Sequence, residues 1–220
     1  MSADPRPGSR VGADAMASLL DRRLLGIIRG CPARHVVAIA SAAIDAGMDV
    51  IEITLDSESA LEQIDSVRAA RPTAVVGAGT VHTAADVREA VRAGARFVVS
   101  PMLDDEVVRT AVALGVPAFP GVATTTEMAR ARSLGAPAVK VFPAAQLGGP
   151  AFIAAVGGPM RGIPMIPTGG VDESNARAYL DAGAVAVGIG GSLFTRRALG
   201  AGDAGAIGVA TSRIVAEVAR

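Results

Sequence analysis

Ala46-Gly47-Met48-Asp49-Val50-Ile51-Glu52-Ile53-Thr54 holds a helix ending, a turn and a buried strand in one short stretch. A glycine placed there fits a helix C-terminus that turns directly into the next strand. The β-branched run after it fits a parallel strand covered on both faces. The same punctuation returns as Ala93-Gly94, Leu114-Gly115, Leu134-Gly135 and Ala182-Gly183. Working outward from these points, strands are expected over 24–29, 49–54, 74–78, 96–100, 116–119, 138–142, 165–168 and 184–189, separated by Ala-rich amphipathic segments. Strand and helix alternating eight times read as a single (β/α)8 barrel of the TIM type, with a doubly wound open sheet as the competing architecture. An extra N-terminal helix over 13–22 precedes the first strand, and a last helix covers 203–218. Residues 1–11 read as a loose tail and 12–220 as one domain. Three helices open on a capping pattern: Asp56-Ser57-Glu58, Thr83 with Asp86, and Thr124 with Glu127.

Composition narrows the function. Half of the 220 residues are hydrophobic, enough for a large core. Only 3% are aromatic, which leaves few platforms for stacking single-stranded nucleic acid. The formal net charge of zero also argues against a nucleic-acid or membrane surface. Cys31 is the single cysteine, so no internal disulfide forms, and a reducing cytoplasm fits. The N-terminus shows no secretory signal, and no apolar run reaches membrane-spanning length.

The chemistry collects at the strand ends, where barrels of this kind place their sites. Lys140, in Val139-Lys140-Val141-Phe142-Pro143-Ala144, is the only lysine; every other basic side chain is arginine. It sits in an apolar run that reads as buried, and burying an unpaired ammonium is costly. An unprotonated primary amine attacks carbonyls, which a guanidinium does not. Lys140 is therefore either a Schiff-base lysine or a strand-end residue that reaches solvent or pairs with a carboxylate. Glu52 and Thr54 share one face of their strand, opposite Ile51 and Ile53. Glu52 is either an ion-pair partner of Arg29 or Lys140, or a general acid/base tuned by burial. Arg29 closes the first strand and either pairs with Glu52 or binds a substrate carboxylate in bidentate fashion. Thr168-Gly169-Gly170 and Gly190-Gly191-Ser192 each follow a strand and precede a helix. They are tight turns at least, and at the seventh and eighth strands such glycines also bring backbone N–H groups to a phosphate. His35 and His82 read as surface residues, Cys31 as a free thiol, and Asp104-Asp105-Glu106 as a helix start rather than a metal cluster. No spacing of His, Asp and Glu makes a metal site.

Five stretches in order carry a resemblance: Ile51-Glu52-Ile53-Thr54-Leu55, Gly77-Ala78-Gly79-Thr80-Val81, Val99-Ser100-Pro101, Lys140-Val141-Phe142-Pro143-Ala144 and Pro167-Thr168-Gly169-Gly170-Val171. Together they resemble the 2-keto-3-deoxy-6-phosphogluconate (KDPG) aldolases, also called 4-hydroxy-2-oxoglutarate aldolases. The likeness runs over about 24–194. It implies a metal-free, cofactor-free class I aldolase on a (β/α)8 barrel, cytoplasmic and homotrimeric. It puts the imine on Lys140 and the acid/base role on Glu52. Substrate-binding positions fall on Arg29, Thr80, Pro101 and Thr168, with Gly169, Gly170, Gly191 and Ser192 for a distal phosphate. The expected ligands are pyruvate and a 2-keto-3-deoxy sugar acid. One position departs: Asp56 stands where the phosphogluconate-type members carry arginine, and galactonate-type relatives are similarly non-basic there. An aspartate beside a phosphate dianion is repulsive, so the gluconate epimer, the galactonate epimer and an unphosphorylated 2-oxo acid all stay open. Two other classes compete. One is a magnesium-dependent transferase of the thiamine-phosphate-synthase kind, and the other is a non-catalytic small-molecule-binding barrel.

Overall fold

The computed structural model describes residues 7–219. Helix α1 (Pro7–Arg22) leads into β1 (Leu24–Ile28), β2 (Val50–Thr54), β3 (Val75–Gly79) and β4 (Val98–Val99). Then come β5 (Ala118–Phe119), β6 (Gly121–Val122), β7 (Val139–Val141), β8 (Met165–Pro167) and β9 (Val187–Ile189), with helices between successive strands except at β5–β6. All strand pairings among the described residues are parallel, as the alternation of strand and helix requires. The fold is α/β. The first six residues of the expected tail lie outside the described residues, and α1 takes up from Pro7 rather than from about Ala13.

The strands fall into a six-stranded sheet, ordered β5-β4-β3-β2-β1-β9, and a three-stranded sheet, β6-β7-β8. The expected fifth strand is the division between them. Pro120 interrupts it, because proline has no N–H to give to a ladder. Upstream, Phe119 pairs with β4; downstream, Gly121 pairs with Lys140 of β7. Pro120 still contributes its carbonyl, which accepts the Lys140 N–H at 2.9 Å. At the other side the sheets meet through a parallel bridge, Thr168 to Gly188.

Strand alternation sorts the side chains into two cores. Leu24, Ile51, Val76, Val139 and Val141 pack outward against the helices. Leu25, Val50, Val75, Phe119, Ala138, Ile166 and Ala186 form a second cluster, and α1 adds Ala15 and Leu19 to it. The period of two then places Glu52, Lys140, Thr168 and Gly188 above this inner cluster, on the same face as Val50, Ala138, Ile166 and Ala186. The five punctuating glycines, 47, 94, 115, 135 and 183, all have φ between 73° and 105°, the left-handed region a helix end uses before a strand. Thr83 and Thr124 make full capping boxes with Asp86 and Glu127. The third expected cap fails. The helix over Ala60–Ala70 starts after Ser59, which makes no side-chain cap, and Asp56 and Ser57 are spent elsewhere.

Candidate active site

Lys140 is 5% exposed, and its Nζ lies 5.3 Å from the centre of the Phe142 ring, a cation–π distance. It lines a cavity of about 450 Å³ together with Ile27, Arg29, Phe142, Thr168 and the two glycine turns. Gly169, Gly170, Gly191 and Ser192 all border this space, so the structure gathers them with the lysine. The Ser192 hydroxyl donates to the Val171 carbonyl at 2.8 Å, which ties the two turns together.

Glu52 is fully buried, and neither carboxylate oxygen has a hydrogen-bond partner among the described residues. Burial pushes its pKa up, Lys140 and then Arg29 pull it back, and Asp56 adds to the rise. Desolvation wins because no donor stabilises the charged form. The room for this carboxylate comes from Gly79: a Cβ there would collide with Glu52 Oε1. Glycine is thus required by close approach rather than by its backbone angle. Gly188 plays the same part for the buried hydroxyl of Thr168.

Arg29 does not pair with Glu52, as one reading of the sequence had it. Its Nη1 donates to Asp56 Oδ2 at 2.7 Å and its Nη2 donates to Thr80 Oγ1 at 3.1 Å. Asp56, read from sequence as part of a helix cap, is therefore the arginine's partner. Thr80 reaches the site through this bond, from a backbone with φ 57°. Pro101 does not line the cavity; its carbonyl instead fills the space beside Gly121 that a Cβ would need. Ile27, Phe142 and Asp172 line the cavity without having been singled out. Ile27 was legible as the residue two before Arg29 on the same strand face.

The remaining candidates settle on their structural roles. His82 is exposed, and Asp104 caps the helix over Asp105–Ala113 while Asp105 pairs with Arg109 and Arg130. Cys31 is buried, and desolvation pushes its thiol to about 11, far from the reactive range. Among the described residues, no group of three or more His, Cys, Asp or Glu is placed to hold a metal ion.

A family model described as KDPG and KHG aldolase matches residues 16–209. The chain belongs to this family. It is 37% identical over 170 residues to the KHG/KDPG aldolase of Escherichia coli K12, covering 77% of this chain and 79% of that one. It is 36% identical over 173 residues to the 2-dehydro-3-deoxy-6-phosphogalactonate aldolase of the same organism, covering 78% and 84%. Among solved structures it resembles a Legionella pneumophila KDPG aldolase with pyruvate captured as a covalent carbinolamine intermediate. That match has a TM-score of 0.85 at 27% identity and covers 91% of this chain and 97% of that one. As a KDPG and KHG aldolase family member the chain is a carbon–carbon lyase, and the transferase of the thiamine-phosphate-synthase kind is not favoured.

Proposed function

We propose that this class I aldolase works through an imine on Lys140. It cleaves a 2-keto-3-deoxy-6-phospho sugar acid, of gluconate or galactonate configuration, or 4-hydroxy-2-oxoglutarate, into pyruvate and an aldehyde. One observation carries the assignment of roles. A buried lysine lines the cavity, and a buried carboxylate without a protein hydrogen bond stands on the same inner face of the strands, near enough for the lysine's charge to act on it. The unprotonated Lys140 amine attacks the C2 ketone. Glu52, directly or through water, moves the protons of carbinolamine formation and dehydration. The protonated imine then accepts the electrons of the C3–C4 bond as Glu52 takes the C4 hydroxyl proton. The aldehyde leaves, and the enamine of pyruvate remains on Lys140. Protonation at C3 and hydrolysis release pyruvate and restore the amine. Arg29 and Thr80 hold the carboxylate end, and Thr168 lines the site beside Lys140. Gly169, Gly170, Gly191 and Ser192 meet the distal end of the substrate.

The same reading closes the two sheets into a single (β/α)8 barrel behind an extra N-terminal helix. The unbroken chain through Pro120 and the Thr168–Gly188 bridge support that closure. The family likeness supports a homotrimer in the cytoplasm. No helix among the described residues is long and apolar enough to cross a membrane.

Borohydride reduction in the presence of pyruvate tests the assignment. A mass shift mapped to Lys140, absent without pyruvate, is the expected result. Lys140→Arg should lose both the adduct and turnover although it keeps the charge; turnover near wild type would sink the imine.

A further inference from the structure

Three consecutive residues beyond β1 are fastened to the segment that follows β2. The Arg29 guanidinium donates to Asp56 Oδ2 at 2.7 Å. The Gly30 N–H donates to the Ser57 hydroxyl at 2.8 Å, and that hydroxyl shares a hydrogen bond with the buried hydroxyl of Thr54 at 3.2 Å. The Cys31 carbonyl accepts from the Gln63 amide at 2.9 Å, and the same amide nitrogen donates to the Glu58 carbonyl at 2.7 Å. Ser57 and Gln63 are both buried, so these bonds are shielded from water. Gln63 Oε1 has no partner among the described residues, a cost that an apolar side chain there would not carry.

The ion pair differs from its two neighbours. The Arg29 and Asp56 side chains are 56% and 42% exposed, and ion pairs at such places add little stability. What this pair supplies is direction. Thr80 accepts from Nη2, out of a left-handed backbone that a β-branched residue rarely adopts. Two of the five guanidinium N–H groups are then taken, and three are left for a ligand in the cavity that Arg29 lines. A loose arginine loses rotamer freedom when it binds a carboxylate; one already clamped has lost it on folding.

We propose that Asp56 is a positioning residue: it clamps Arg29 in the orientation that receives the carboxylate of the 2-oxo acid, on a backbone that Ser57 and Gln63 fix. The inference rests on the aldolase reading and concerns its pyruvate end, whatever the aldehyde carries. Asp56 also offsets the charge of the guanidinium, which weakens its pull on an anion. At an exposed rim that pull is screened by salt, and orientation outweighs it.

The test measures the pyruvate concentration that half-saturates borohydride trapping on Lys140, in wild type, Asp56→Ala, Arg29→Ala and the double variant. Asp56→Ala should raise it about tenfold or more, with trapping at saturating pyruvate still complete. Arg29→Ala should raise it at least as far. The double variant should match Arg29→Ala alone, because an aspartate that acts through the arginine then has nothing to orient. Asp56→Asn, which keeps an acceptor for the guanidinium, should stay within about threefold of wild type. A half-saturation unchanged or lowered in Asp56→Ala overturns the proposal, and so does a double variant weaker than Arg29→Ala by the full Asp56→Ala factor. Absence of any adduct on wild-type Lys140 overturns the aldolase reading instead. Should Asp56→Ala not fold, Asp56→Ser, whose shorter side chain carries no charge, enters the same cycle.

Discussion

Ionised Glu52 works against the fold that holds it, because its two buried oxygens find no donor among the described residues. Its pKa is raised above the ordinary 4.5, so the folded chain binds this proton more tightly than the unfolded chain does. Stability from this group is fully present at low pH. It is lost as pH rises past the ordinary value and on through the raised one. Glu52→Gln should therefore raise the melting temperature at pH 7, with the gain shrinking below about pH 4.5. The same change should slow turnover by roughly a hundredfold or more, since an amide moves no proton. Thermal unfolding at two pH values and a steady-state assay check both halves. A variant no more stable at pH 7 would mean that Glu52 finds a partner in solution. Lys140 and Glu52 were readable from sequence, because a sole lysine and a carboxylate flanked by isoleucines are both improbable without a purpose. Asp56 was not: an acid before a helix fits a cap as well as an ion pair, and only the fold brings Arg29 to it.

Elements place these groups by what they leave out as much as by what they carry. The end of β3 offers no side chain at Gly79, and the Glu52 carboxylate of β2 occupies that space. Gly79→Ala should push Glu52 aside and lower kcat at least tenfold while the chain stays folded, because Gly79 has no positive φ for alanine to strain. A kcat near wild type would show that the carboxylate has room to retreat. The alternation of strand and helix, the glycine punctuation and two of the three caps were legible because each is a local pattern with a local cause. The break in the fifth strand was less so. Pro120 was visible, but which neighbour each half pairs with is decided by residues distant in sequence, Val98 on one side and Lys140 on the other.

At the scale of the molecule, the inner cluster is what keeps the strand ends in register around the site, and α1 is part of it. Leu19 is fully buried against that cluster. Leu19→Ala should cost about 2–5 kcal/mol by denaturant unfolding, with kcat and KM nearly unchanged because the site is at the opposite ends of the strands. A loss well under 1 kcal/mol would show that α1 merely rests on the fold. Sequence placed a helix before the first strand, yet gave no hint of which residues it buries, since that depends on where its axis crosses the sheet.

One last property follows from the arginine-only surface and the enclosed lysine. Side-chain chemistry aimed at amines has a single address in this protein, and it is the lysine proposed to carry the imine. Acylating dyes, amine-coupled supports and lysine-directed crosslinkers have no lysine to seize on the outside. Any that react with a side-chain amine do so at the cost of the imine. Labels and surface attachments for this protein are better carried by thiol or carboxyl chemistry at introduced positions. Side-chain amine modification, read apart from the chain's α-amine, then reports on Lys140 alone.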